Sequence, residues 1–560
     1  MKITKTLLII SILLFKNITC LAQWSTNTAI NNPISIAQND QSSPRTVSDG
    51  SGGAIMVWYD NRNGISNSDI YAQRIDSNGL IQWATNGIAI CTAVNNQEYP
   101  EIISDGNGGV IIAWSDYRNS TFDYDIYAQK INSSGVVQWA NNGVAISTAI
   151  GDNYDPNMVS DGNGGAIITF RDNRIDTNNG DIYAQYINSL GIVQWTIDGI
   201  VICGNNAQNE FPKIVSDGSN GAIITWQDTR NGNFDVYAQR VNSLGIMQWT
   251  NNGIAICTAA DSQSYPSIIS NNNGGAIITW GDGRNSTTNS GYDIYAQCVN
   301  SNGIVQWTAN GVAICASING QDSPVLVSDG NNGAIITWTD YRIAGNSADV
   351  YAQRINSAGI VQWTSNGIGI SNITNHQWLA NIVSDENGGA IITWQDERLG
   401  FPSYDIYAQH INFNGIVQWT TNGTPVSTAT NMQRNPLLLS DGNGGAIITW
   451  ADYRTGTNDD VYAQRLNMNG NLSIETQDIL NHSSVKIFPN PSNGLITFQS
   501  TDNISNIYIF DQLGEAVYKE ACVNYSKKEL DLTNLSNGMY FYKIISDSNI
   551  ISNGKLIIAH

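Results

Sequence analysis

Carboxylate and guanidinium groups recur together along this sequence, and such groups can support acid–base chemistry or anion binding. In each repeat an Asp-x-Arg triplet begins two residues after a tryptophan, whose place is taken by Phe170 in one repeat. A further Asp follows each triplet after a segment of variable length. Representative pairs are Asp60 and Arg62, Asp116 and Arg118, and Asp228 and Arg230. A residue present in every repeat is most simply part of the repeat's architecture. We therefore predict that these pairs, together with the later Asp69 or Asp125, hold the variable loop in place by hydrogen bonds between carboxylate and guanidinium groups.

Residues that depart from the repeat are better candidates for ligand contact. The arginines outside repeat positions are Arg45, Arg171 and Arg434, and bulky residues outside them occur in segments that connect predicted strands. The predicted ligand-binding set is His376, Trp378, Phe401, Tyr404, Arg434 and Arg45. Exposed aromatic rings and guanidinium groups can stack on sugar rings or anchor a protein partner. The alternative is ordinary loop packing in a diverged unit.

Other chemistry is weakly indicated. Glu98 and Glu210 occupy equivalent segments two units apart and are the carboxylates considered for hydrolysis. No cofactor is expected, although the oxygen-rich D-G-N-G-G turns leave calcium binding open.

Four cysteines share one repeat position, too far apart in neighbouring units for disulfides, and are expected to be buried: Cys91, Cys203, Cys257 and Cys315. Cys298 and Cys522 have no obvious partner.

Tryptophan spacing defines the repeat that positions these residues. Fifteen of the 16 tryptophans occupy two repeat positions, and Trp378 does not. The distance between the two positions varies only between the Arg of D-x-R and the Asp of D-[IV]-Y-A-Q, which marks that segment as a surface loop. Each unit predicts four strands: an apolar stretch after proline, G-A-I-I-T-W, D-I-Y-A-Q-R-I, and I-V-Q-W with its continuation.

Units of about 56 residues predict an all-β, eight-bladed β-propeller over residues 23–475. The chain begins with a fourth-strand segment and ends with the first three strands of the last unit. We therefore expect the N-terminal strand to complete the eighth blade. Seven blades with one imperfect unit is the competing count. A solenoid would need atypical capping repeats, which the sequence lacks.

Composition and charge restrict the partners. The net charge of −21 disfavours nucleic acid and anionic membrane surfaces. Residues 1–22 have the basic start, apolar stretch and small residues of a signal peptide. No later apolar run is long enough for a membrane helix, so no membrane insertion is expected.

The last residues form a separate domain after a linker at 476–483. The order P-N-P-S-x-G, D-x-x-G, N-G-x-Y-x-x-K and G-K-L-I-I over residues 484–560 predicts a small β-sandwich. It closely resembles the type A C-terminal sorting domain of the type IX secretion system. The resemblance implies a Gram-negative bacterium, export by the secretion machinery, removal of the domain by a sortase-like peptidase, and release or attachment at the cell surface.

The repeats also resemble the blades of sialidase-like bacterial propellers, through W-x-D-x-R followed by D-I-Y. Twelve of the 15 arginines belong to repeat positions, so the arginine triad of sialidases cannot be placed here. The sequence favours a non-enzymatic surface or extracellular binding module, with a glycan or surface protein as ligand. A glycan-active hydrolase of sialidase-like fold is the alternative, and a structural surface-layer protein is the third.

Overall fold

Each repeat folds into a four-stranded antiparallel sheet in this computed structural model. The structure describes residues 24–120, 123–175, 179–285, 291–343, 347–472, 485–511, 516–546 and 549–560. Contacts divide the chain into two units, Met1–Ser473 and Ile474–His560. The predicted signal peptide at 1–22 and linker at 476–483 lie outside the described residues. Within those residues no helix is long and apolar enough to cross a membrane.

The repeat region forms eight such sheets, here called blades one to eight in chain order. In each blade the first and second strands follow one another directly in the chain. The first strands are β2 (Gln41–Ser48), β6 (Gln97–Ser104), β10 (Asn153–Ser160), β14 (Asn209–Ser216), β18 (Gln263–Ser270), β22 (Gln321–Ser328), β26 (Gln377–Ser384) and β30 (Gln433–Ser440). The second strands are β3 (Ala54–Asp60), β7 (Val110–Asp116), β11 (Ala166–Asp172), β15 (Ala222–Asp228), β19 (Ala276–Asp282), β23 (Ala334–Asp340), β27 (Ala390–Asp396) and β31 (Ala446–Asp452).

The third and fourth strands complete each blade. The third strands are β4 (Asp69–Ile75), β8 (Asp125–Ile131), β12 (Asp181–Ile187), β16 (Asp235–Val241), β20 (Asp293–Val299), β24 (Asp349–Ile355), β28 (Asp405–Ile411) and β32 (Asp460–Leu466). The fourth strands are β5 (Ile88–Cys91), β9 (Val144–Ser147), β13 (Ile200–Cys203), β17 (Ile254–Cys257), β21 (Val312–Cys315), β25 (Ile368–Ser371), β29 (Thr424–Ser427) and, in blade eight, β1 (Asn32–Ser35).

Blade eight draws strands from both ends of the repeat region. The N-terminal strand β1 pairs antiparallel with β32, and the sheet order is β1-β32-β31-β30. Successive first strands contact one another, and β30 also contacts β2. Trp24, Trp58 and Ile447 share one buried cluster that joins blade eight to blade one.

The hydrophobic cores lie between blades, which explains strands that are apolar on both faces. In one cluster, Ile277 and Ile294 of blade five pack with Ile336 and Trp338 of blade six. Equivalent clusters join the other neighbours. The alternating pattern of a half-exposed sheet is absent from the second strands because both of their faces are covered.

The second repeat tryptophan links each blade to the next. Trp83 donates its indole N–H to the backbone oxygen of Ser133 at 3.3 Å, and Trp24 donates to Ser77 at 2.9 Å. The turn glycine of the next blade lies against the ring: a Cβ at Gly135 would sit 3.0 Å from Trp83. These glycines have positive φ, so the turn needs them for conformation as well as for space.

This packing role corrects the prediction for the fourth strand. The Ile-Val-Gln-Trp segment forms only an isolated bridge, such as Ile131 with Val137, and the regular strand begins several residues later at Val144. The tryptophan turns toward the neighbouring blade and is therefore not part of the ladder. The continuation alone forms the fourth strand.

The C-terminal unit is a separate five-stranded domain. Its strands are β33 (Val485–Phe488), β34 (Leu495–Phe510), β35 (Ala516–Asp531), β36 (Gly538–Ser546) and β37 (Asn549–Ile558). Strands β33, β35 and β36 pair with β34, and β37 pairs with β36, so the five strands form one hydrogen-bonded sheet. Phe498, Ile507 and Leu556 belong to its buried core.

Candidate functional site on the loop-bearing face

The start of each first strand, the end of the second, the start of the third and the end of the fourth lie at one edge of the blade. In blade one, Gln41 pairs with Asp60, Asp60 with Asp69, and Ile70 with Cys91. The variable loops and the connections between blades emerge there, and we call this the loop-bearing face. The opposite edge carries the turns D-G-N-G-G and N-S-x-G and is the turn-bearing face.

The repeated Asp and Arg form an internal clamp. Trp58 donates its indole N–H to Asp60 at 2.8 Å, and Arg62 binds both oxygens of the same carboxylate at 2.8 and 2.6 Å. The guanidinium carbon lies 3.8 Å from the centre of the Tyr71 ring, and the group also donates to the Asn86 carbonyl. The pairs Asp116–Arg118 and Asp228–Arg230 repeat this arrangement. Within the clamp, the Asp60 carboxylate and the Arg62 guanidinium therefore compensate each other's charge.

The later Asp does not join this clamp, which corrects the prediction. Asp69 accepts a hydrogen bond from the side-chain amide of Asn63 at 2.6 Å, and Asp125 accepts one from Asn119 at 2.8 Å. The arginine reaches the turn before the fourth strand instead. An asparagine one residue after the arginine therefore holds the variable loop to the third strand.

Four blades lack this asparagine: blades three, six and seven carry a hydrophobic residue in its place, and blade eight carries a threonine. These residues are Ile175, Ile343, Leu399 and Thr455. Burial, with a smaller contribution from the neighbouring Asp340, raises the pKa of Asp349 to about 7. Burial and Asp396 likewise raise the pKa of Asp405 to about 7. These carboxyls are inside the blade, so the raised values bear on stability.

Four residues of the predicted ligand set form one aromatic cluster on blade seven. The His376 and Trp378 rings stack with centroids 4.7 Å apart. The Trp378 and Tyr404 rings meet edge to face at 6.0 Å, and Tyr404 and Phe401 meet at 6.3 Å. Phe401 is 75% exposed, while the other three are half-buried. Trp378 and His376 flank Gln377 at the start of β26, so a strand rather than a loop fixes their positions.

Arg434 lies beside this cluster. Its guanidinium binds both oxygens of Asp459 at 2.7 Å and lies 5.8 Å from the Tyr453 ring. Burial raises the pKa of Tyr404; Glu397 adds to this effect and Arg434 opposes it, so both charges lie within electrostatic reach of the ring. We call His376, Trp378, Phe401, Tyr404 and Arg434 the blade-seven patch.

Arg45 does not join the patch. It pairs with Glu101 of blade two at 2.9 Å and lines a cavity of about 390 Å³ enclosed by the first strands of blades six, seven, eight and one. Val325, Leu379 and Leu437 supply the apolar part of that lining. The sequence placed Arg45 in a connecting loop, whereas it belongs to the strand β2.

The two carboxylates considered for hydrolysis have separate partners. Glu98 accepts hydrogen bonds from Tyr124 at 3.0 Å and Asn96 at 3.1 Å. Glu210 binds the off-repeat Arg171 at 2.9 Å. All three off-repeat arginines are thus paired with an acid.

Sequence reasoning missed two acids beside the blade-seven patch and one feature of every first strand. Glu397 lies between the clamp residues Asp396 and Arg398, and Asp459 precedes β32; both depart from the repeat and were detectable on that ground.

The third residue of each first strand has φ between 50° and 55°, although in seven blades proline follows and would favour extended backbone. Tyr99 and Tyr265 occupy this position and are half exposed.

The D-G-N-G-G turns need no ion to explain their acidic residue. One oxygen of Asp49 accepts the backbone N–H groups of Ser51 and Gly53 at 2.8 Å, and the other accepts Arg74. Across the described residues, no group of three His, Cys, Asp or Glu side chains could hold a metal ion.

The cysteines of the fourth strands are buried and free. Arg118 donates to the sulfur of Cys91 at 3.1 Å, and burial raises the pKa of that thiol to about 12. Cys298 is also buried and free, whereas the side chain of Cys522 lies outside the described part.

The C-terminal unit can be assigned by comparison. Residues 486–559 match the family model of the secretion system C-terminal sorting domain. This segment is a type IX sorting domain. The sorting domain implies interaction with the type IX machinery and secretion to the cell surface or the extracellular space. No curated protein matches the chain in sequence.

Solved structures similar to the chain include three carbohydrate-active enzymes. An α-L-arabinanase of Penicillium chrysogenum, complexed with arabinobiose, is 16% identical and has a TM-score of 0.34 over 67% of this chain and 94% of its own. An ulvan lyase of polysaccharide lyase family 25 is 11% identical, with a TM-score of 0.41 over 68% and 96%. The Hadza microbial sialidase Hz136 is 8% identical, with a TM-score of 0.35 over 59% and 70%. Likeness at this level says nothing of activity.

Proposed function

We propose that the chain is a non-enzymatic binding or adhesion module, exported by type IX secretion, that contacts its ligand through the loop-bearing face at the blade-seven patch. The observation that carries this proposal is the continuous run of rings from His376 through Trp378 and Tyr404 to the exposed Phe401. Ring faces fixed by strand β26 can stack on sugar rings or receive apolar anchors with little ordering cost.

The two faces of the propeller differ in a way that supports this placement. The turn-bearing face repeats nearly the same residues in every blade, because its turns serve folding. The loop-bearing face varies from blade to blade at positions that share one backbone geometry, such as Gly320, His376 and Met432, each the residue before a first strand. Variation on a constant scaffold is the arrangement expected of a binding surface.

The hydrolase alternative has weaker support. A site of sialidase type needs several unpaired arginines to hold a carboxylate, whereas Arg45, Arg171 and Arg434 each bind an acid of the chain itself. Charge-neutral pairs of this kind suit a binding surface better than an anion clamp.

An array of glycans and bacterial surface polymers tests the proposal. The full chain is applied beside the variants Trp378→Ala and Phe401→Ala, with Leu244→Ala on the turn-bearing face as the matched control. We expect both aromatic variants to lose at least tenfold in binding and the control to bind like the parent. Equal binding by all four proteins would overturn the assignment of the patch.

A further inference from the structure

A second concave site lies on the loop-bearing face, between blades five and six. Its volume is about 540 Å³, within the range of small-molecule pockets. Tyr292 contributes from the variable loop of blade five, and Asp322 and Tyr341 contribute from blade six. None of the blade-seven patch residues lines it.

Glycines line much of this space. Blade five reads Gly281-Asp282-Gly283 where the other blades carry a side chain on both sides of the aspartate. Position 283 is tyrosine in three sister blades, Tyr117, Tyr341 and Tyr453. The residue before the first strand of blade six is Gly320, where the next blade carries His376. Two positions that line the cavity therefore lack the side chains that sister blades carry there.

The cavity wall combines rings with hydrogen-bonding groups. Burial raises the pKa of the Asp322 carboxyl, and the hydroxyl groups of Ser323 and Tyr341 oppose this effect, so both lie near it. Asp261 and the amide of Asn233 add further polar groups, and Tyr292 supplies a ring. Rings beside carboxylate and amide groups are suited to a ligand with an apolar ring face and many hydroxyl groups.

The charge of the wall restricts the ligand further. Its two carboxylates face the cavity without a lysine or arginine among the described lining residues. An acidic ligand would meet repulsion that none of the described lining residues offsets. A metal ion lacks the three ligating side chains it needs among the described residues.

We propose that the cavity between blades five and six binds a non-acidic sugar unit, with its ring against Tyr292 and its hydroxyl groups donating to Asp322 and Asp261. This site is independent of the blade-seven patch, because it lies on other blades and uses other residues. The protein therefore carries two separate contact points on one face.

Titration of the full chain with neutral and uronic-acid oligosaccharides, followed by calorimetry, tests this proposal. The variant Gly283→Tyr introduces into the cavity the residue that three sister blades carry, and Thr229→Tyr introduces tyrosine at the equivalent position of blade four as a control. Tyr292→Ala removes the ring and introduces the residue found at the equivalent Ala348. Melting temperatures confirm that each variant is folded.

We expect at least one neutral oligosaccharide to bind, Gly283→Tyr and Tyr292→Ala to weaken its binding at least tenfold, and Thr229→Tyr to bind like the parent. Leu244→Ala, on the turn-bearing face, should leave this binding unchanged. Failure of the blade-seven patch appears in the array results for Trp378→Ala and Phe401→Ala, and failure of this site appears in Gly283→Tyr, so the two are separate results. Binding of no neutral oligosaccharide, preference for the uronic acids, or equal binding by Gly283→Tyr and the parent would overturn the proposal.

Discussion

The side-chain amide of Asn271 points at the sulfur of Cys298, with nitrogen and sulfur 3.6 Å apart, across the first turn of blade five. In the other seven blades the first of these positions is aspartate and the second is a hydrogen-bonding residue. The pairs are Asp49–Arg74, Asp105–Lys130, Asp161–Tyr186, Asp217–Arg240, Asp329–Arg354, Asp385–His410 and Asp441–Arg465. In blade five both positions are uncharged, so neither side chain leaves a buried charge without compensation. Blade three keeps its aspartate opposite a neutral residue, and there the Tyr186 hydroxyl donates to Asp161 at 2.9 Å.

The first prediction concerns this pair. Asn271→Asp alone should lower the free energy of unfolding by about 1–3 kcal/mol, because the new buried carboxylate has no cationic partner. Adding Cys298→Arg should recover most of the loss, as Arg354 does for Asp329 in blade six. Chemical denaturation of the two single variants and the double variant measures the coupling. Strictly additive effects would contradict the pairing.

The second prediction concerns pH and the buried carboxyls of blades six and seven. The folded-state pKa of Asp405 is about 7, above the unfolded value of about 3.9, so the folded state holds the proton more tightly. Its contribution to stability is complete below about pH 4 and declines as pH rises to about 7. Leu399→Asn restores the amide that Asn63 supplies in blade one. It should raise the unfolding free energy at pH 8 by about 1 kcal/mol and change it little at pH 4.

Asn63→Leu is the reverse change and serves as the control for this experiment. It removes the hydrogen bond to Asp69, so it should destabilise the protein at pH 8 and much less at pH 4. Denaturation curves at both pH values give the comparison. A pH-independent effect of either substitution would show that the amide does not act through the carboxylate.

The third prediction concerns the joints between blades. A Cβ at Gly359 would lie 2.6 Å from the ring of Trp307, and the residue has φ of 76°. Gly359→Ala should therefore cost about 2–5 kcal/mol, the sum of backbone strain and a clash with a ring held in the core. Gly330 has φ of 75° and open space around its Cβ position, so Gly330→Ala should cost only about 1–2 kcal/mol. Similar losses for the two variants would mean that the tryptophan contact contributes little.

The sequence predicted the number of blades, because each repeat carries its two tryptophan positions whatever the length of the variable loop between them. It also identified His376, Trp378, Tyr404 and Phe401 as neighbours, since residues on one edge of adjacent strands and loops must meet. It failed for Arg45, whose partner Glu101 belongs to another blade. It did not predict the cavity between blades five and six, because the absent side chain at Gly283 leaves no signal in a search for reactive groups.

The most direct test of the central claim is hydroxyl-radical footprinting of the full chain, free and bound to the surface of cells that export it. The loop-bearing face is represented by Trp378, Phe401 and Tyr404, and the turn-bearing face by Leu244 and Met468, which are 76% and 55% exposed. We predict that oxidation of the three aromatic residues falls on binding while that of Leu244 and Met468 does not change. Protection of Leu244 and Met468 with the aromatic residues still oxidised would contradict the account.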